Sequence, residues 1–262
     1  MEKRGLLIMC LINFQLNNHP KYKLIVAANR DEFYNRPTAT AQFWKDNPKI
    51  LAGRDLLQMG TWLGITKQGR FAALTNFRDP AEKTTGKVSR GDIVKSYLEE
   101  DDTPVDFLEK LKRNKDKYAG FNVLVGNFEK LFYYSNNQNE IMEIKAGTHG
   151  LSNHFLNTPW PKVEKGKKML REYVNGQNEV QPEKLFNIIS DTETASDDRL
   201  PQTGIDLELE RKLSSQFITS PNYGTRSSTV LLVDQDNQVT FVERTYEGGK
   251  FLKDSRFEFR VG

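Results

Sequence analysis

The sequence Met9-Cys-Leu-Ile-Asn-Phe-Gln-Leu16 and the sequence Tyr22-Lys-Leu-Ile-Val-Ala-Ala28 are two apolar stretches rich in β-forming residues. Between them stands Asn17-Asn-His-Pro20, a group of residues typical of a turn. We therefore predict strands over Cys10–Leu16 and Tyr22–Ala28 that pair as an antiparallel hairpin. In such a hairpin the first residue of one strand lies beside the last residues of the other, so Cys10 is expected next to the residues that follow Ala28.

The residues that follow are Asn29-Arg-Asp-Glu32. An arginine with two carboxylates behind it can orient a substrate or lower the pKa of a neighbouring thiol. An ordinary salt bridge at the end of a strand is the alternative interpretation.

Cys10 is the single cysteine of the chain and the candidate nucleophile. As an internal residue of an apolar strand it would be an inert, buried thiol. If Met9 were the first translated residue, Met1–Ile8 would be an upstream extension, and removal of Met9 would make Cys10 N-terminal. Its α-amine would then be a base on the same residue as the thiol. Both interpretations are open at this point.

The composition narrows the class of protein. The chain has 262 residues, 37% of them hydrophobic, which is enough for a sizeable core. The net charge is +3 and the basic residues are scattered, so no nucleic-acid partner is expected. The longest apolar run, Leu6–Ile12, is too short for a transmembrane segment and lacks a signal-peptide cleavage site. A single cysteine suits a reducing compartment, and we expect a cytoplasmic protein.

The rest of the chain alternates between groups of strands and groups of helices. Further strands are predicted over Thr61–Lys67, Arg70–Thr75, Phe121–Val125, Lys130–Ser135, Glu140–Lys145, Thr225–Val233, Val239–Arg244 and Arg256–Arg260. Helices are predicted after the caps Ser89-Arg-Gly-Asp92 and Thr103-Pro-Val-Asp106, and over Pro159–Val174 and Pro182–Ser190. This order favours a layered α+β fold in one domain over residues 9–262, with residues 1–8 as an extension.

The polar segment Asp191–Gly204 has no periodicity and predicts a long surface loop, which we expect to be mobile and to lie over or beside the entrance of the site. No metal site is expected. His149 and His154 have no third ligand nearby, and Asp234-Gln-Asp-Asn237 is a hairpin turn rather than a calcium loop. The nucleotide-binding fingerprints are absent from the sequence, so no cofactor is expected.

A series of ordered motifs runs from Met9 to Arg226. They are Met9-Cys10, Ala27-Ala-Asn-Arg-Asp-Glu-Phe33, Gly60-Thr-Trp-Leu-Gly-Ile65, Ala73-Leu-Thr-Asn76, Gly150-Leu-Ser-Asn153 and Tyr223-Gly-Thr-Arg226. With these motifs the chain resembles the Asn-Arg-Asp-Glu family, also called the Transport and Golgi organisation protein 2 family. The resemblance implies a fold of the N-terminal-nucleophile hydrolase type, a four-layer αββα sandwich of two mainly antiparallel sheets.

The same resemblance implies a set of site residues. Cys10 would be the nucleophile and carry the base, with Arg30 and Asp31 orienting its amine and thiolate. Asn76 and Asn153 would be oxyanion donors, and Arg226 would support the site. The substrate contacts implied are Asn29, Glu32 and Trp62. We expect Asn153 and Arg226 to converge on the end of the hairpin that holds Cys10 and Arg30.

The implied activity is hydrolysis of a small-molecule acyl amide. Eukaryotic members of the family are linked to haem mobilisation and to lipid or acyl-CoA homeostasis, so the alternative is a non-catalytic protein that binds haem or an acyl lipid. A structural or interaction protein is a third possibility. The sequence leaves these three classes and the oligomeric state open.

Overall fold

The computed structural model describes residues 9–82 and 84–262, so the predicted extension over residues 1–8 lies outside the described residues. The strands of the described chain are β1 Cys10–Leu16, β2 Tyr22–Phe33, β3 Thr38–Phe43, β4 Ile50–Asp55, β5 Leu63–Thr66, β6 Phe71–Asn76, β7 Phe121–Gly126, β8 Leu131–Ser135, β9 Glu140–Glu143, β10 Gly147–Leu151, β11 Tyr223–Asp234, β12 Gln238–Glu247 and β13 Lys250–Arg260. The helices are α1 Gly91–Glu99, α2 Pro104–Arg113, α3 Pro161–Asn175, α4 Pro182–Ile189 and α5 Leu207–Leu213.

The strands form two sheets. The first sheet has the order β10-β1-β2-β11-β12-β13, and the second runs from β3 to β9 in chain order. Neighbouring strands are antiparallel in both sheets. The predicted hairpin of β1 and β2 is confirmed, with Cys10 directly opposite Arg30.

The two sheets stack face to face and are covered by helices on both sides. Ile12 and Phe14 of the first sheet share a core with Ile65 and Leu124 of the second. The outer face of the second sheet is covered by α1 and α2. The outer face of the first sheet is covered by α3 and α4. The predicted four-layer αββα sandwich is confirmed.

The strands β1 and β2 are buried on both faces, so that even polar residues of β1 such as Asn13 and Gln15 lie inside the protein. The predicted end of β2 at Ala28 was wrong. The strand continues to Phe33 because it lies between β1 and β11 and pairs with β11 along its whole length. The Asn29–Glu32 segment is therefore part of the strand, and its side chains alternate between the two faces of the sheet.

Several elements were not predicted from the sequence: β3, β4, β10 and α5. The predicted cap of α2 is confirmed, since the Thr103 side chain accepts a hydrogen bond from the Asp106 backbone nitrogen at 3.2 Å. The predicted cap of α1 was wrong, because that helix begins after Arg90, which makes no side-chain capping bond.

No helix within the described ranges is long and apolar enough to cross a membrane.

Candidate active site

The Cys10 side chain lies between the two sheets, at the end of β1. Side chains alternate along a strand, and Ile12 and Phe14 place this row in the core between the sheets. Cys10 is 4% exposed and lines a cavity of about 420 Å³. The thiol is therefore almost completely shielded from solvent and lies at the wall of a cavity that can hold a small molecule.

Arg30 and Glu32 line the same cavity. Arg30 shares a face with Cys10 because directly opposed residues of an antiparallel pair project to the same side. Glu32 Oε2 lies 3.5 Å from Arg30 Nη2 and 3.6 Å from Arg36 Nε. The Glu32 carboxylate is thus held between two guanidinium groups beside the thiol.

Asp31 lies on the opposite face of β2 and does not line the cavity. Its Oδ1 accepts a hydrogen bond from Thr225 Oγ1 at 2.6 Å, and its backbone nitrogen donates to the Met9 carbonyl at 3.0 Å. Burial raises the pKa of Asp31 to about 6, although the nearby Lys162 opposes this shift. Asp31 therefore contacts the chain just before Cys10 rather than the cavity itself.

Asn29 also lies on that outer face, and the structure does not place it where a substrate contact was expected. Its Nδ2 donates to the carbonyls of Ile189 at 2.7 Å and Gln216 at 2.8 Å. Its Oδ1 accepts from Ser228 Oγ at 2.6 Å. Because side chains alternate along β2, Asn29 points away from the cavity. On the outer face it joins β2 to α4 and to the segment that precedes β11.

The two predicted oxyanion residues occupy different positions. Asn153 Oδ1 accepts a hydrogen bond from the Cys10 backbone nitrogen at 3.3 Å, and Asn153 Nδ2 donates to the Asn76 carbonyl at 2.9 Å. Asn76 lines the cavity, whereas Asn153 does not. Asn76 therefore lies at the cavity wall, and Asn153 holds the Cys10 nitrogen.

Arg226 and Trp62 both line the cavity. Arg226 is an extra residue in β11, since Thr225 pairs with Asp31 and Ser227 already pairs with Arg30. Such a β-bulge changes the direction of a side chain. Arg226 Nη1 donates to the carbonyls of Phe33 at 2.9 Å and Arg36 at 2.8 Å. These contacts bring Arg226 to the cavity that contains Cys10 and Arg30, as predicted.

Charged residues that the sequence did not single out complete the lining. Among the described residues that line the cavity, six are cationic and three are carboxylates. The cations are Arg30, Arg36, Arg54, Lys87, Arg90 and Arg226, and the carboxylates are Glu32, Asp55 and Glu243. Six of these nine residues were not expected at the site: Arg36, Arg54, Asp55, Lys87, Arg90 and Glu243. Arg36 follows the Asn29–Glu32 motif by four residues.

The Cys10 thiol is protonated near neutral pH when Met9 is attached. Burial raises the pKa of Cys10 to about 12, and the Asp31 carboxylate adds to the shift. Arg30 acts in the opposite direction. Reactivity at neutral pH therefore requires another base or a further positive charge near the sulfur.

Met9 is fully buried on the outer side of the first sheet. Its side chain packs in an apolar cluster, the Met9 chamber, formed with Leu11, Trp160, Val163, Leu213, Ile218 and Tyr223. The Met9 backbone nitrogen donates to Tyr223 Oη at 2.7 Å, and Met9 Sδ lies 3.2 Å from Arg78 Nη2. The residue before Cys10 thus has a defined position of its own in the fold.

The loop Asp191–Gly204 is not among the residues that line the cavity, and its expected position over or beside the entrance stays a prediction. Its first carbonyl, that of Asp191, accepts a hydrogen bond from the Phe217 backbone nitrogen at 2.9 Å. Near its other end, Thr203 Oγ1 lies 3.2 Å from Arg78 Nη1. The loop packs on the side of the Met9 chamber because its polar groups bond to residues there.

The family and the relatives that this chain matches agree with the fold and with the motifs described above. Residues 9–248 match the family model described as Transport and Golgi organisation 2. The Transport and Golgi organization protein 2 homolog of Bos taurus is 36% identical over 260 residues, which cover 92% of this chain and 94% of the bovine protein. The Homo sapiens homolog is 35% identical over 90% of this chain and 93% of its own length.

Similar folds occur among solved hydrolase structures. A mutant of the conjugated bile acid hydrolase from Clostridium perfringens has a TM-score of 0.51 and 10% identity, covering 95% of this chain and 97% of that one. A Caenorhabditis elegans ortholog of N-acylethanolamine-hydrolyzing acid amidase has a TM-score of 0.51 and 11% identity, over 85% and 92% of the chains. The structural likeness identifies the N-terminal-nucleophile hydrolase fold, and the family match with the relatives identifies the family. The chain belongs to the Transport and Golgi organisation 2 family.

Proposed function

We propose that this protein, in a form that begins at Cys10, hydrolyses the amide bond of a small acyl amide with Cys10 as the nucleophile. The observation that carries the proposal is the direct pairing of Cys10 with Arg30 at the wall of a cavity of about 420 Å³. Two proteins of similar fold support it, since one is a hydrolase of conjugated bile acids and the other an amidase that hydrolyses N-acylethanolamines.

The chemistry requires a base beside the thiol, and the α-amine of an N-terminal Cys10 is that base. The amine accepts the thiol proton while the sulfur attacks the carbonyl carbon of the amide. Asn76, which lines the cavity, donates to the oxyanion that forms. The protonated amine then passes its proton to the leaving nitrogen, and the C–N bond breaks to give a thioester. Water hydrolyses the thioester, which releases the acid and restores the thiol.

The charges of the cavity favour a substrate with an acidic group. Three of the lining cations donate to backbone carbonyls, which do not neutralise them: Lys87 to Asp116, Arg90 to Gly120 and Arg226 to Phe33. Apolar lining residues, among them Trp62 and Leu74, suit a hydrocarbon portion. The substrate class we propose is therefore an N-acyl amide that carries a carboxylate or a similar anion.

Turnover tests the proposal. Protein that begins at Cys10, released by proteolysis of a fusion, is compared with the full chain and with the Cys10→Ala variant on pairs of acyl amides with and without a carboxylate. We expect the Cys10 form alone to release the amine, and to prefer the acidic member of each pair. No release by the Cys10 form from any amide would overturn the proposal, and equal rates within pairs would overturn the substrate class.

The second candidate is a carrier that binds an acyl lipid without cleaving it. The observation in its favour is the complete burial of Met9, because a chain that retains Met9 has an inert thiol beside an intact cavity. Haem fits less well, since His19, His149 and His154 are not among the residues that line the cavity. Saturable binding of a fluorescent fatty acid by the full chain, without turnover in either form, would favour the carrier.

A further inference from the structure

Lys162 is a buried charged residue that the proposed reaction does not use. It lies in the first turn of α3 and is 2% exposed. Within the described part of the chain, its Nζ is buried without a hydrogen-bond partner, and so is Oδ2 of Asp31. Burying a charged group without a full set of hydrogen bonds is costly, so two such groups in one region need an explanation.

Both groups lie near the peptide bond that joins Met9 to Cys10. The Asp31 backbone nitrogen donates to the Met9 carbonyl, and Val163, the residue after Lys162, packs in the Met9 chamber. The groups whose charge acts on Lys162 are Asp31, Arg78, Cys10 and Glu210. Lys162 is therefore placed to influence whatever charge appears at the Cys10 nitrogen.

The charges of the two buried groups favour each other. Burial lowers the pKa of Lys162 to about 8, although the Asp31 carboxylate opposes this shift. Burial raises the pKa of Asp31 to about 6, although Lys162 opposes that shift. The mutual attraction of the two groups therefore favours the ammonium form of Lys162 together with the carboxylate form of Asp31, against the effect of burial.

We propose that Lys162 is a positioning residue for the nucleophile: its buried ammonium makes the amine and thiol of an N-terminal Cys10 give up their first proton at a lower pH. The inference rests on the proposed function, because it requires Cys10 to be the first residue. Loss of Met9 frees the α-amine beside the two buried charges. Asp31 attracts the protonated amine and Lys162 repels it, so Lys162 offsets the carboxylate that would otherwise keep the base protonated.

The other charged groups around this point are ion pairs on either side of Cys10 and the cavity cations Arg90 and Arg226, and substitution of Lys162 changes none of them. Arg78 forms an ion pair with Glu210 at 2.6 Å, on the side of α5. Arg30 lies 3.5 Å from Glu32, on the cavity side of Cys10. Tyr223 from β11 is neutral, since burial raises its pKa well above the ordinary value. Removal of the Lys162 charge is therefore expected to raise the pH at which Cys10 loses its first proton.

The test is the alkylation rate of Cys10 by iodoacetamide over a pH series, in protein that begins at Cys10. We expect the midpoint in Lys162→Met to rise by about one pH unit, which is about tenfold slower alkylation at neutral pH. Lys162→Arg should keep the parent midpoint because it keeps the charge. The matched control is Lys168→Met on the same helix, where the side chain is 74% exposed and no change is expected.

Two further comparisons separate the outcomes. If Lys162→Met does not fold, Lys162→Gln still decides, because it also removes the charge while it keeps a polar group at the end of the side chain. An unchanged midpoint in folded Lys162→Met, or in Lys162→Gln where the first variant fails, would overturn the role of Lys162 and leave the proposed hydrolase intact. Alkylation of the parent no faster than that of the full chain would overturn both.

Discussion

Cys10 and Arg30 stand directly opposite each other on neighbouring antiparallel strands, and both line one cavity between the sheets. The Cys10 thiol is almost completely buried, so the nearest fixed positive charge has a large influence on it. Arg30 lowers the pKa of the thiol, against the larger opposing effect of burial. The pair is the centre of the site from which the proposed chemistry follows.

Arg30→Ala is expected to slow alkylation of Cys10 in the form that begins at Cys10, by about tenfold at neutral pH. The reason is that the thiolate loses its cross-strand cation. Arg30→Lys should retain part of the rate, because the charge remains while the planar geometry is lost. The control is Arg256→Ala, whose side chain is 55% exposed. A parent-like rate in Arg30→Ala would contradict an electrostatic role for Arg30.

Asn29→Ala is expected to destabilise the fold rather than to change substrate binding. The substitution removes three hydrogen bonds inside the protein, those to the carbonyls of Ile189 and Gln216 and the one from the Ser228 hydroxyl. We expect the free energy of unfolding to fall by about 3 kcal/mol in urea titrations. An unchanged urea midpoint together with a raised KM would contradict this assignment.

Glu243→Gln is expected to stabilise the protein above pH 6. Glu243 is buried, and burial raises its pKa from 4.5 to about 6. A carboxyl whose folded pKa is raised contributes most stability below the unfolded pKa, and that contribution is lost as the pH rises through the folded pKa. Glutamine does not ionise and can still accept from the Ala41 backbone nitrogen, as Glu243 Oε1 does at 2.6 Å.

The gain for Glu243→Gln should reach about 2 kcal/mol at pH 8 and be small at pH 4. Urea unfolding at the two pH values measures it. Glu258→Gln is the control, because its side chain is 53% exposed and no comparable gain is expected. A larger gain in the free energy of unfolding at pH 4 than at pH 8 would contradict a raised pKa of Glu243 in the folded protein.

Protein that begins at Cys10 is expected to be less stable than protein that retains Met9. Removal of Met9 empties a packed apolar site and takes away the donor to Tyr223 Oη. Loss of a buried methionine side chain alone costs about 2–5 kcal/mol. Met9→Ala in the full chain should therefore reproduce much of the loss in thermal unfolding. Equal stability of all three proteins would contradict the packing described for Met9.

The hairpin and the position of Cys10 beside Arg30 could be predicted because both depend on local sequence. Predominantly apolar stretches rich in β-forming residues identified β1 and β2, and a short turn fixed their pairing. The division of the Asn29–Glu32 motif between two faces could not be predicted, because it depends on β2 continuing to Phe33. That continuation is imposed by pairing with β11, which is distant in the sequence.

The convergence of Asn153 and Arg226 on the end of the hairpin came from the family resemblance rather than from local pattern. Lys162 could not be predicted as a site residue, since a lysine in a basic stretch of helix is typical of a solvated face. It is buried because the first turn of α3 packs against the Met9 chamber. Such a contact depends on tertiary packing and has no signature in the sequence.

The most direct test of the central claim is the alkylation rate of Cys10 at neutral pH, measured by intact mass in two proteins that differ only in residues 1–9. With Met9 attached, the thiol has a pKa of about 12 and should react slowly. With Cys10 first, the free α-amine accepts the thiol proton, and we predict a rate at least about tenfold higher that disappears in Cys10→Ala. Equal rates in the two proteins would contradict the claim that this cysteine is an N-terminal nucleophile.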